Sequence, residues 1–135
     1  MEAPPVAQRL AYLTEQSMAG KLSSELLRGS LDLMILSALS DGPMYGYSIQ
    51  KRLADASNQA VRMQAGTLYP LLHRLEDDKL IRSKWEKSTG RPRKWYELTA
   101  AGNRRLHQQA IEWHSYVACL KQLLPAMEKR LAISD

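Results

Sequence analysis

Residues 64–98 read QAGTLYPLLHRLEDDKLIRSKWEKSTGRPRKWYEL, and a change of rhythm inside this stretch sets the fold. Leu68, Leu71, Leu72 and Leu75 recur at i, i+3, i+4 and i+7, the spacing of one face of an α-helix. Thr67, Pro70, His73 and Arg74 then fall on the outward face. From Ile81 the period drops to two: Ile81, Ser83 and Trp85 alternate with Arg82, Lys84 and Glu86, and after a turn Tyr96 and Leu98 alternate with Trp95 and Glu97. The connection Ser88-Thr89-Gly90-Arg91-Pro92 holds the Gly and Pro that punctuate turns, and Pro92 lacks a donor that a sheet interior needs. The stretch predicts a helix from about Ala65 to Asp78 and then a two-stranded hairpin whose tip projects into solvent. The helix start is open between Thr67 as N-cap, which puts Pro70 in the first turn, and an earlier start that leaves Pro70 deeper.

Charge marks the hairpin as functional. Between Arg82 and Lys94 there are six bases (Arg82, Lys84, Lys87, Arg91, Arg93, Lys94) and one acid, Glu86, a local net of +5 that equals the net charge of the whole chain. The rest of the sequence holds 13 of the 19 basic and 13 of the 14 acidic residues and balances to zero. A localised basic projection beside an exposed helix face is the electrostatic footprint of a duplex nucleic-acid binder.

The 135 residues, 44% of them hydrophobic, suit one domain with appended helices and exclude a disordered or fibrous chain. No apolar run is long enough to span a bilayer, and Met1-Glu2-Ala3-Pro4-Pro5 lacks the basic and apolar regions of a secretory signal, so a cytoplasmic location is expected. The single cysteine, Cys119, suits a reducing compartment and is expected to be a buried structural thiol.

Upstream, Val6, Leu10, Leu13 and Ser17 or Met18 mark one face of a helical arm from about Val6 to Met18, ended by Ala19-Gly20. A second helix runs from Leu31 to about Ser40, with Ser30 offering an N-cap hydroxyl and Asp41-Gly42-Pro43 stopping it. It is apolar nearly all round and belongs at the centre of a core. A third spans Tyr45 to about Ser57, with Ile49 and Leu53 inward and Gln50, Lys51 and Arg52 outward, the last two placed to touch phosphate. The order helix, helix, helix, strand, strand, then a long helix capped by Thr99, describes a winged helix-turn-helix. Its third helix enters the major groove and its wing follows the backbone or an adjacent minor groove. The fold class expected is therefore mainly α with a small β-hairpin, plus an N-terminal arm helix and a long C-terminal dimerisation helix.

In that last helix Leu106, Ala110, Trp113, Val117, Leu120 and Leu124 are spaced alternately by four and three, a heptad a/d seam that predicts a partner helix and a dimer. Pro125 breaks or kinks it. An indole is too large for ordinary knob packing, so two Trp113 side chains near a dimer axis would hold the helices apart and leave a gap suited to a flat hydrophobic ligand. The competing reading packs Trp113 against the N-terminal arm.

Several pieces together resemble the PadR family of bacterial transcriptional regulators. They are Leu31-Asp32-Leu33, Tyr45-Gly46-Tyr47, the run Gly66-Thr67-Leu68-Tyr69-Pro70-Leu71-Leu72-His73-Arg74-Leu75-Glu76, and Arg93-Lys94-Trp95-Tyr96-Glu97-Leu98-Thr99-Ala100-Ala101-Gly102. The resemblance covers about Arg28 to Leu124, and the C-terminal helix with Trp113 is similar to the short-form subgroup with a small C-terminal domain. It implies a homodimeric repressor that binds a near-palindromic double-stranded operator and is released by a small planar aromatic or drug-like effector. Carried over by position, the DNA-facing residues are Tyr47, Gly66, Thr67, Tyr69 and His73, with Arg91, Arg93 and Lys94 on the wing; Lys51 and Arg74 join them from the helix faces read above. Trp113 matches the aromatic that lines the ligand space of some short-form members. The expected organisation is an arm over residues 1–28, a DNA-binding domain over 29–99 and a dimerisation helix over 100–135.

An enzyme is disfavoured, because His73, His107 and His114 have no carboxylates or cysteines at metal-ligand spacing and there is no nucleophile motif or phosphate-cradling loop; no cofactor and no metal are expected. A winged helix serving only as a protein-interaction module is the stronger rival. Such a module has no need to gather the chain's entire excess charge in its wing.

Overall fold

In a computed structural model of the protein, the structure describes residues 28–87, 90–125 and 129. The predicted arm from Val6 to Met18 and most of the tail beyond Pro125 lie outside these residues. A 3₁₀ turn at Arg28–Ser30 leads into α1 (Leu31–Ala38), and a second at Leu39–Asp41 into β1 (Met44–Tyr45) and α2 (Gly46–Ala56). Then come α3 (Ala65–Asp77), β2 (Ile81–Glu86), β3 (Arg93–Leu98) and α4 (Ala100–Leu123). No helix among the described residues is long and apolar enough to cross a membrane. Nor does any group of three or more His, Cys, Asp or Glu among them stand where it could hold a metal ion.

The core is built from the faces that the periodicity marks. Ile35, Leu36 and Leu39 from the first helical stretch, Ile49 from α2, Leu68, Leu72 and Leu75 from α3, Ile81 and Tyr96 from the sheet are all almost completely buried. Ser30 takes the N-cap position of α1 as expected, but its side chain makes no cap hydrogen bond there. Gly42 (φ 135°) ends the stretch in a conformation that L side chains rarely adopt.

The sheet has a strand the periodicity did not disclose. β1 pairs antiparallel with β3, giving the order β1-β3-β2, with Met44 opposite Tyr96 and Tyr45 opposite Trp95. Two residues are too short to display an alternation. Along β2 the expected alternation fades: Ile81 is buried, Ser83 half-buried and Trp85 61% exposed, since the hairpin runs out past the core.

α3 starts at Ala65 with Gln64 as N-cap, so Pro70 lies inside the helix. The proline withholds the donor that the Gly66 carbonyl would otherwise receive, but both residues are on the exposed face, where water can take its place. The helix ends in a Schellman motif: the Leu80 amide donates to the Leu75 carbonyl and the Lys79 amide to Glu76, each at 2.9 Å, with Lys79 left-handed at φ 60°. Leu75 and Leu80 are both buried, supplying the apolar contact that accompanies this motif.

That turn also anchors α4. The Thr99 amide donates to the Leu80 carbonyl at 3.1 Å, and the Thr99 hydroxyl caps α4 by accepting from the Gly102 amide at 3.0 Å, as its sequence position predicts. Gly102 is buried against the Leu80 carbonyl, so close that a Cβ there would lie 1.9 Å from its oxygen. α4 leaves the domain gradually. Leu106, Ala110 and Trp113 are half-buried, while Val117, Leu120 and Leu124 are exposed. Cys119, expected to be buried, is exposed on the same distal half, which no described element covers.

Candidate nucleic-acid interface

α3 presents its outward face where the sequence places it: Gly66, Thr67, Tyr69, Pro70, His73 and Arg74 are all exposed. Beside its first turns opens a groove to which four elements contribute. Tyr45, Gly46, Tyr47 and Ser48 come from β1 and the start of α2, Tyr69 from α3, and Arg91, Pro92, Arg93, Lys94 and Tyr96 from the wing. Five of the predicted DNA-facing residues, Tyr47, Tyr69, Arg91, Arg93 and Lys94, thus meet around one concave surface. Tyr47 is 73% exposed at its edge. Gly46 is what lets Tyr69 reach α2, since a Cβ at Gly46 would lie 2.6 Å from the Tyr69 hydroxyl oxygen.

Tyr47 also borders a second, shallower groove along α2 and the turn to α3, lined by Gln50, Lys51, Gln59, Arg62 and Gln64 among others. Lys51 is therefore on the same side of the molecule but not in the main groove. Gln50 fixes this turn by donating to the Met63 carbonyl at 2.9 Å. Arg62, Gln64 and Ser48 were not singled out from the sequence. Gln64 is the N-cap of α3 and Arg62 lies in the loop before it, positions that no apolar periodicity marks.

The charges are less free than their count suggests. Arg82 is paired with Glu97 at 2.6 Å, and Lys94 lies 3.9 Å from Glu76 and over the rings of Trp85 and Tyr96. Arg74 is drawn to Asp32 on α1, and Arg52 to Asp41. Among the described residues no acid pairs with Arg91, Lys87 or Lys84. Two phenols beside the groove hold their protons more firmly than usual: Tyr45 because its hydroxyl donates to Glu86, and Tyr96 because burial penalises the phenolate. Neither adds negative charge to the surface at neutral pH.

At the far end of the molecule Trp113 lies beside Gly29, with Tyr116 edge-on to it at 5.4 Å, forming a shallow recess with Glu112. Beyond it Ile111, Tyr116 and Leu123 are exposed in addition to Val117, Leu120 and Leu124, so the uncovered apolar surface is broader than a strict heptad seam.

A family model of PadR-like transcriptional regulators matches residues 35–108, from α1 through the wing into α4. This chain belongs to the PadR-like family. It is 38% identical over 82 residues to a transcriptional regulator of Mycobacterium tuberculosis, a match that covers 61% of this chain and 74% of that protein. A PadR family transcriptional regulator from Eggerthella lenta has a similar fold, with a TM-score of 0.67, 38% identity, and coverage of 85% of this chain and 96% of that one. Bacillus subtilis PadR, solved in complex with operator DNA, is 29% identical with a TM-score of 0.55, over 60% of this chain and 45% of that one. The PadR family is one of transcriptional regulators, not of enzymes. The two grooves described above lie within the matched residues.

Proposed function

We propose that this PadR-like regulator is a cytoplasmic homodimeric repressor that binds a near-palindromic double-stranded operator and is released by a small planar aromatic or drug-like effector. The observation that carries the DNA reading is the meeting of Tyr47, Tyr69, Arg91, Arg93 and Lys94 around one open groove next to the exposed start of α3. Base-edge contacts fall to Gly66, Thr67, Tyr69 and His73 on α3, and phosphate contacts to Lys51 and the wing. The solved complex of the Bacillus subtilis relative with operator DNA supports DNA binding as such. Arg74, held by Asp32, contributes only if that exposed pair opens.

The distal half of α4 supports the dimer, since Val117, Leu120 and Leu124 are large apolar groups left in water. Residues 1–28 then act as an arm, 29–99 as the DNA-binding unit and 100–135 as the dimerisation helix, setting two copies of α3 roughly 34 Å apart, about one duplex turn. The effector site is assigned to the recess at Trp113, where ligand and operator would antagonise each other through their differential affinity for one spacing of the two α3 helices.

Anisotropy titration of duplex DNA at two salt concentrations tests the core of this reading. Affinity should fall steeply with salt, and Arg93→Ala with Lys94→Ala should flatten the dependence. Unchanged affinity and slope in that double variant refute the wing assignment. Planar aromatic compounds that quench Trp113 and loosen the complex support the effector site; loss of both effects in Trp113→Ala locates it.

A further inference from the structure

Between Arg82 and Lys94 the wing carries one acid among its bases, Glu86, and it is the cross-strand partner of Arg93. Opposite charges facing each other across an antiparallel pair ordinarily join, and an arginine held by a carboxylate is lost to a phosphate. The contacts of Glu86 run another way. Its carboxylate accepts from the Tyr45 hydroxyl and, at 2.8 Å, from the indole Nε1 of Trp95. The Arg93 guanidinium instead stands over the Tyr45 ring, 5.1 Å from its centroid. Tyr45 is itself fixed, because it pairs with Trp95 across the β1–β3 ladder and their rings lie 4.8 Å apart.

We propose that Tyr45 is a positioning residue for DNA binding: its hydroxyl occupies the Glu86 carboxylate while its ring face carries Arg93, so that the arginine is delivered to the groove it shares with Tyr47 and Tyr69. The short strand β1 thereby acquires a role beyond closing the sheet, since it brings to the wing a hydroxyl that competes with Arg93 for the Glu86 carboxylate. Both halves of the device sit on the same groove, which Tyr45 and Arg93 line together. A guanidinium spread over an aromatic face keeps its donors available at the rim, whereas a bidentate carboxylate pair consumes them. The inference rests on the DNA-binding reading above.

Tyr45→Phe keeps the ring and removes only the hydroxyl, taking away one of the donors that engage Glu86 and strengthening its pull on Arg93. The assay is binding to a mixed-sequence, non-operator duplex between 50 and 200 mM salt, with the fold checked by circular dichroism. One phosphate contact contributes a slope of about −0.9 in log K against log salt, or about 3.5-fold over that range. Tyr45→Phe should therefore bind several-fold more weakly at low salt and lose about 3.5-fold of its salt dependence. Glu86→Gln added to Tyr45→Phe should restore the slope of Glu86→Gln alone, a rescue that a purely structural role for Tyr45 would not give. A Tyr45→Phe protein with the parent slope, or a double variant as shallow as Tyr45→Phe, overturns the inference while leaving DNA binding intact. A parent chain with no salt-dependent duplex binding overturns both.

Discussion

Gly102→Ala should destabilise the fold by about 2–4 kcal/mol, although alanine is the better helix former. The new methyl would lie 1.9 Å from the Leu80 carbonyl oxygen, 2.9 Å from its carbon and 3.3 Å from the Leu98 Cδ2. The oxygen is about 1.5 Å inside the 3.4 Å at which ordinary contact begins. A flexible side chain could swing aside, but this is backbone, held by the Thr99 amide at 3.1 Å, and the Thr99 hydroxyl ties the same turn by donating to the Lys79 carbonyl at 2.7 Å, with the Leu80 carbonyl 3.1 Å away. Helix α4 must therefore shift away from the α3–β2 turn. Overpacking of this kind costs ~1–3 kcal/mol. Loss of the Thr99 cap adds ~1 kcal/mol and the weakened Thr99–Leu80 bond a further ~0.5–1.5 kcal/mol. The propensity gain returns at most ~1 kcal/mol. In urea unfolding at fixed protein concentration the midpoint should move down by roughly 1–2 M with an unchanged slope. Gly66→Ala is the matched control, since its Cβ meets nothing within 4 Å, and it should be neutral or stabilising by up to ~1 kcal/mol. Equal midpoints for Gly102→Ala and the parent would refute the reasoning.

Lys79→Gly should stabilise the protein by ~1 kcal/mol, because Lys79 occupies the left-handed position of a Schellman motif at φ 60°; thermal or urea denaturation reads this directly. Tyr96 ties stability to alkaline pH: its folded phenol ionises above the ordinary 10.0, first because of burial. Its contribution is fully present below that pH and is lost as pH rises through the folded value, at up to ~1.4 kcal/mol per pH unit. Denaturation between pH 9 and 12 should show a shallower loss in Tyr96→Phe, and an identical pH profile would count against the burial argument. Val117→Glu or Leu120→Glu should give folded monomers by light scattering that have lost specific operator binding, whereas an intact dimer would place the interface elsewhere.

What could be read from the sequence was local. The leucine spacing of α3, the Thr99 cap, the Gly and Pro of the wing and the gathering of charge between Arg82 and Lys94 each depend on residues a few positions apart, and the structure places them accordingly. The PadR-type motifs were legible for the same reason, as short runs at fixed spacing. Tertiary structure set what those residues do to one another. Tyr45 meets Glu86 across 41 positions and Arg74 meets Asp32 across 42, and no periodicity encodes either pair. Strand β1 is too short to alternate and exists because β3 offers it a ladder. At Gly46 and Gly102 a Cβ would meet the Tyr69 hydroxyl and the Leu80 carbonyl, contacts between segments that no local pattern encodes. Cys119, a residue type usually buried, is exposed because burial belongs to the face a neighbour covers, and no described element covers this one. Chain-local chemistry thus determined which elements form, while contacts between distant segments determined which cations remain available and which surfaces stay open.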